Sequence, residues 1–218
     1  MERSTLAAMI DHTLLRPEAT VDDVEALCTE ATELRVAAVC VSPSRLPLPV
    51  RLGPSIGVAA VVGFPSGAHV AAVKAREAQL AVGSGATELD MVLDLGALKE
   101  GAWARIEAEV ATVRTAVPRR IVLKVILETA ILSDREIVTA TKASSAGGAD
   151  FVKTSTGFHP AGGASIRAVS LMARAGDGRL GVKASGGIRD AFTALAMVDA
   201  GATRLGCSAT RKILDGVG

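Results

Sequence analysis

Three lysines interrupt apolar runs that otherwise read as buried strands. Lys124 lies in "IVLKVIL" (121–127), Lys153 in "DFVKTS" (150–155) and Lys183 in "LGVKAS" (180–185). Burying an ammonium group is costly, so a lysine in such a run needs a reason. The three are 29 and 30 residues apart, close to the length of one strand–helix repeat. Three consecutive strands would then present a lysine at the same end. Side chains two apart share a strand face, which groups Lys153 with Phe151 and Ser155, and Lys183 with Gly181 and Ser185. If those faces look inward, Lys153 and Lys183 are neighbours on strands about 4.8 Å apart. Repulsion and burial both lower a lysine pKa. A lysine neutral at pH 7 adds to carbonyl carbons and forms Schiff bases. The plainer alternative, lysines reaching out to a rim, fits one lysine better than three in register.

Other side chains could join that chemistry. Asp90 in "ELDMV" is an acid inside an apolar strand, able to relay protons or simply to form a buried ion pair. Asp11 and Thr13 in "IDHTLL" either supply hydrogen bonds at the same end or shape a turn. Cys40 closes another apolar run, where it lines a pocket or packs as a small apolar side chain. "SGGIRD" (185–190) leaves a strand and opens a helix, and Gly186 and Gly187 let backbone N–H groups approach a phosphate. "GCSAT" (206–210) repeats that pattern one unit later. The three histidines, His12, His69 and His159, are scattered and form no compact ligand set, so no metal site is expected.

Such residues need elements to hold them. Strand-like segments fall at 10–13, 36–41, 57–64, 87–94, 120–127, 150–155, 180–185 and 203–208. Helical segments fall at 4–9, 21–34, 68–82, 102–116, 134–146, 165–175, 190–200 and 209–214, with Thr20 and Ser133 as N-caps. Strands alternating with helices imply a parallel sheet, and near-continuous apolar strands imply cover on both faces. "GATELDM", "GADFVKT" and "GATRLGC" repeat one helix-to-strand joint in which Gly ends the helix. Eight strands in 218 residues predict an α/β fold, a TIM (β/α)8 barrel with a short N-terminal helix, as one domain over 1–218. The competitor is an open doubly wound sheet, but no GxGxxG follows the first strand and no Walker A motif occurs.

Composition narrows the class. The chain is 49% hydrophobic but 2% aromatic, so Ala, Val, Leu and Ile build the core. A net charge of +1 without a basic run points away from nucleic acid. The longest apolar run, 56–64, is too short to span a bilayer, and the N-terminus lacks a signal-peptide core. Cys28, Cys40 and Cys207 are odd in number and far apart, which fits reduced thiols and a cytoplasmic protein.

"IDHTLL", "AAVCVSP", "VGFPSGA", "ELDMVLDLGALKEG", "LKVILET", "FVKTSTGF", "VKASGGIR" and "LGCSAT" occur in this order along nearly the whole chain. By these motifs the chain resembles the deoxyribose-phosphate aldolase family, class I aldolases on a TIM barrel. The resemblance implies that Lys153 is the Schiff-base lysine, that Lys183 perturbs it and assists proton transfer, and that Asp90 relays protons. It implies that Lys124 organises the relay and the substrate hydroxyls, with Asp11, Thr13 and Cys40 near the substrate. It puts Thr156, Gly157, Gly186, Gly187, Arg189 and Ser208 at the phosphate end, several through backbone N–H groups.

The implied reaction is reversible cleavage of 2-deoxy-D-ribose 5-phosphate to D-glyceraldehyde 3-phosphate and acetaldehyde, with neither metal nor organic cofactor. The implied partners are small phosphosugar and aldehyde substrates, with a homodimer as the assembly and neither nucleic acid nor membrane involved. The alternatives are a class I aldolase for another phosphorylated sugar and a non-catalytic phosphosugar-binding barrel. Two positions depart from the family pattern. The chain has no tyrosine, so no tyrosine-assisted proton step is expected, and Ala209 stands where the family often has a second serine.

Overall fold

The computed structural model describes residues 1–217. A short helix α1 (Arg3–Ala7) leads into β1 (Ile10–Leu14), α2 (Val21–Leu34), β2 (Ala38–Val41) and β3 (Gly57–Val62). Then come α3 (Ala71–Gly83), β4 (Glu88–Val92), α4 (Leu95–Lys99), α5 (Trp103–Ala116), β5 (Val122–Ile126) and α6 (Asp134–Ala146). β6 (Phe151–Lys153), α7 (Ile166–Gly176), β7 (Gly181–Ser185), α8 (Ala191–Asp199), β8 (Arg204–Cys207) and α9 (Thr210–Asp215) complete the chain.

All eight strands are parallel and pair in sequence order, and β8 closes on β1 with Asp11 opposite Gly206. The fold is therefore a TIM barrel, and closure removes the open-sheet competitor. Helix α4 is an addition to the expected elements. Asp94 starts it by accepting from the Ala97 N–H at 3.1 Å. Thr20 and Ser133 each form a capping box, with Asp23 and Glu136 respectively.

The recurring Gly-Ala joint has one physical form. Gly85, Gly148 and Gly201 take φ of 102°, 92° and 111°, which side chains rarely adopt. The following alanine N–H then reaches back five residues: Ala86 to Ala81, Ala149 to Ser144 and Ala202 to Met197, each at 3.0–3.1 Å. That contact closes the last helical turn and aims the chain into β4, β6 and β8.

Strand parity divides the barrel into two environments. Leu89, Met91, Leu123, Val125, Val152 and Val182 belong to the main apolar core, between sheet and helices. Their sequence neighbours Glu88, Asp90, Lys124, Lys153 and Lys183 point to the lumen and are buried as well. Cys40, Ala59 and Val61 line the other side of the lumen as a small separate apolar cluster with Leu15 and Phe64. So the apolar runs have cover on both faces, but β4 to β8 turn a charged face inward. Two glycines make room for it. A Cβ at Gly181 would come within 2.2 Å of the Phe151 ring, and one at Gly206 within 3.1 Å of Lys183 Cε. Among the described residues no helix is long and apolar enough to cross a membrane.

Candidate active site

Register sets the site. Lys153 on β6 lies directly opposite Lys183 on β7, as parity predicts. Lys124 on β5 pairs with Phe151, while Lys153 pairs with Ile126. Lys124 is thus one inward layer deeper than the other two lysines, not level with them as the even spacing suggested. Asp90 on β4 is opposite Lys124.

These groups meet in one buried cluster. Lys153 Nζ donates to Asp90 Oδ2 at 2.8 Å, and Lys183 Nζ donates to the same oxygen at 2.7 Å. Lys124 Nζ donates to Asp90 Oδ1 at 2.8 Å. Lys183 also pairs with Asp11. Below, Lys124 pairs with Glu88 at 2.5 Å, and Arg204 reaches Asp11 at 2.7 Å and Glu88 at 3.5 Å. Asp11, Asp90, Lys124 and Lys183 are 0% exposed and Lys153 2%.

The electrostatics correct one expectation. Lys183 faces Lys153, but its pKa is raised, not lowered. Burial pulls it down, and Asp11 and Asp90 outweigh burial. Lys124 is raised for the same reason, by Asp90 and Asp11 against burial. Burial would raise both buried aspartates. Instead Lys124, Lys153 and Lys183 hold Asp90 well below the usual range, and Lys183, Lys124 and Arg204 hold Asp11 low. The ammonium pair never meets unscreened, because a carboxylate oxygen stands between its members.

Charge counting distinguishes Lys153. The cluster has four cations (Lys124, Lys153, Lys183, Arg204) and three carboxylates (Asp11, Glu88, Asp90). Lys124, Lys183 and Arg204 each touch two or more carboxylates, whereas Lys153 touches Asp90 alone. Lys153 is also the cluster cation that lines the cavity at the barrel mouth, a space of about 350 Å³. Removing its proton leaves three cations against three carboxylates.

That cavity also takes in Thr13, Thr156, Gly157, Gly186, Gly187, Arg189 and Ser208. Asp11, Cys40, Asp90, Lys124 and Lys183 lie outside its lining. The Cys40 thiol is buried and its pKa is pushed up by burial. Gly157, Gly186 and Gly187 have φ of 82°, 88° and 83°. Among the described residues their N–H groups have no protein acceptor, and the Arg189 guanidinium has no carboxylate partner. Unpaired N–H donors beside a free guanidinium make a cradle for an anion. Thr156 differs: its N–H and its hydroxyl both go to Glu128. The N-terminus of α8 is likewise occupied, because Asp190 accepts from the Thr193 N–H.

Glu88 and Arg204 complete the cluster and were not singled out from sequence. Parity could have found them, since Glu88 is two residues from Asp90 and Arg204 two from Gly206. Glu128 and the buried Lys74, which pairs with Glu109 outside the barrel, carry no such signal.

The "DeoC/LacD family aldolase" family model matches residues 5–216. The chain is 60% identical over 220 residues to a deoxyribose-phosphate aldolase of Mycolicibacterium paratuberculosis, covering 99% of this chain and 98% of that one. A solved aldolase, QR15, superposes with a TM-score of 0.91 at 38% identity, over 96% of this chain and 94% of that one. A tetrameric deoxyribose phosphate aldolase from Aeropyrum pernix does so with a TM-score of 0.84 at 34% identity, over 98% and 91%.

The cluster makes stability depend on pH with a sign on each limb. Asp90 and Asp11 are depressed on folding, so their share is whole above 3.8 and is lost as pH falls through the lower native values. Lys183 is raised, so its share is whole below 10.5 and is lost as pH rises through the native value. Thermal melts across pH should show both limbs, and Asp90→Asn should flatten the acid one. An acid limb unchanged in that variant would contradict the role given to Asp90.

Proposed function

Because the chain belongs to the DeoC/LacD aldolase family, we propose that Lys153 is the residue on which it cleaves 2-deoxy-D-ribose 5-phosphate. The enzyme is a carbon–carbon lyase, and its reaction is the reversible retro-aldol cleavage of that sugar phosphate to D-glyceraldehyde 3-phosphate and acetaldehyde. The observation that carries the assignment is the position of Lys153: it is the cluster cation that lines the mouth cavity, and it shares one Asp90 oxygen with Lys183.

The neutral Lys153 amine attacks C1 of the open-chain sugar. Loss of water gives an iminium, which keeps a positive charge opposite Asp90. The C3 hydroxyl proton leaves through water toward Asp90, and the Lys183 ammonium beside it assists by stabilising the charge that develops. The C2–C3 bond then breaks, its electron pair passes into the iminium, and glyceraldehyde 3-phosphate departs. The enamine left on Lys153 takes a proton at C2, and water releases acetaldehyde. Asp90 is held well below 3.8 by its lysines, so it passes a proton on rather than keeping it. Lys183, raised by two carboxylates, keeps a fixed positive charge beside the reacting nitrogen. Lys124 holds the second Asp90 oxygen and organises the relay. Asp11 orients Lys183 from below.

Thr13 sits near the substrate chain, and Cys40 belongs to the apolar wall beneath it. Gly157, Gly186, Gly187, Arg189 and Ser208 receive the phosphate, and Thr156 shapes that edge. One barrel over 1–218 is the catalytic unit. We read the enzyme as cytoplasmic, in keeping with three free buried cysteines, and as a homodimer. The dimer is supported by Val70, Val73 and Leu80, which expose 70%, 50% and 55% of their surface along one face at the start and body of α3. Cell fractionation tests the first reading. Light scattering tests the second, and a monomer mass would count against it.

Borohydride added with substrate should reduce the iminium and leave a stable adduct on Lys153, seen by mass spectrometry of the peptide. Lys153→Ala should lose the adduct and at least about 10⁴-fold in kcat, as expected when a covalent nucleophile is removed. An adduct still formed by Lys153→Ala would refute the assignment.

A further inference from the structure

Glu128 follows β5 and has a left-handed backbone, φ 56° and ψ 57°. Among the described residues, three other than glycine have positive φ. The other two, Arg35 and Asp177, end α2 and α7, where a left-handed residue is the usual terminator. Glu128 ends no helix. A side chain carried in that conformation is a cost that glycine would avoid.

The side chain has a clear destination. Glu128 is 1% exposed and, among the described residues, its carboxylate has no cationic partner. It accepts instead from one residue of the neighbouring loop. The Thr156 N–H donates to Oε2 at 3.2 Å and less closely to Oε1, and the Thr156 hydroxyl donates to Oε2 at 2.5 Å. With its proton committed, Thr156 Oγ1 accepts from the Phe158 N–H at 3.1 Å. Backbone contacts on either side of Glu128 add to the grip: Leu127 N–H donates to Lys153 O, and Thr129 N–H to Thr154 O. The stretch from Lys153 to Phe158 is therefore held from the end of β5.

Glu128 does not line the cavity that holds Lys153. It lines a smaller one, about 270 Å³, behind Thr156 and Phe158. Direct contact with the sugar is thus not its role. What it holds in place is Gly157, whose N–H is one of the unpaired donors at the phosphate end, 82° in φ and packed near Gly186.

We propose that Glu128 is a positioning residue for the phosphate end of the site, acting through Thr156 to set the Gly157–Phe158 edge. This rests on the functional reading above. A glutamine does not replace it in full. Its amide oxygen can take the place of Oε2 and accept from both the Thr156 N–H and the Thr156 hydroxyl, but without the charge that strengthens those bonds, and its NH2 group turns a donor toward the Thr156 N–H where Oε1 now accepts.

The test compares Glu128→Gln and Glu128→Gly with wild type on 2-deoxy-D-ribose 5-phosphate and on unphosphorylated 2-deoxy-D-ribose. Glu128→Gly removes the carboxylate while relieving the backbone, so it keeps the test available if the glutamine variant folds poorly. Both variants should raise KM for the phosphorylated sugar about tenfold or more with kcat little changed, the loss expected for charge-assisted hydrogen bonds. Their kcat/KM for the unphosphorylated sugar should stay within about threefold of wild type, so the preference for phosphate shrinks. Equal losses on both sugars would mean a merely structural role and overturn the proposal, as would a full phosphate preference in both variants. A wild-type enzyme indifferent to the phosphate would instead bring down the phosphate-end reading itself.

Discussion

Asp90 Oδ2 accepts from two lysines at once, at 2.8 Å from Lys153 and 2.7 Å from Lys183. Without that oxygen, two buried ammonium groups would face each other across adjacent strands, and one or both would have to lose its charge or move. With it, Lys183 is a settled cation and Lys153 has one carboxylate contact on the side away from the cavity. The rest of the cluster follows from that sharing. Lys124 neutralises the other Asp90 oxygen, Asp11 gives Lys183 a second carboxylate, and Arg204 and Glu88 close the floor. Removing Asp90 would leave buried lysine charge unmatched, which costs more than losing an exposed pair.

The barrel keeps this arrangement buried. Its apolar core lies outside the sheet, where Leu, Val and Met from alternate strand positions meet helices rich in alanine. The lumen is left free for charge on the β4–β8 side and for a thin apolar wall of Cys40, Ala59 and Val61 on the other. Small residues admit the long ones, with Gly206 beside Lys183 and Gly181 beneath Phe151. The repeated glycine joints before β4, β6 and β8 set where those strands begin, and hence the register that brings Lys153 level with Lys183. The family match over residues 5–216 takes in all eight strands that hold this cluster.

Much of this was readable from the chain. The alternation of apolar runs with capped helices implied the barrel, and the Thr20 and Ser133 caps stand where their patterns put them. Parity placed Lys153 against Lys183. What was not readable depended on distance around a closed sheet. Lys124 shares their spacing but sits a layer deeper, because register between β5 and β6 is staggered by two residues. The direction of the Lys183 pKa could not be inferred from its lysine neighbour alone, since Asp11 is 172 residues away in sequence. Glu128 reads locally as one more residue in "LKVILET". Its importance appears only once its left-handed backbone and its grip on Thr156 are seen together.

The most direct test of Asp90 separates imine formation from proton transfer. In deuterium oxide, the enzyme should exchange the methyl protons of acetaldehyde through the iminium and the enamine, followed by NMR. Asp90→Asn should still be trapped on Lys153 by borohydride with acetaldehyde, yet its deuterium incorporation should fall by about 100-fold or more, the usual worth of a positioned proton-transfer group. Incorporation at the wild-type rate in Asp90→Asn would contradict the shared carboxylate as the centre of the proton relay.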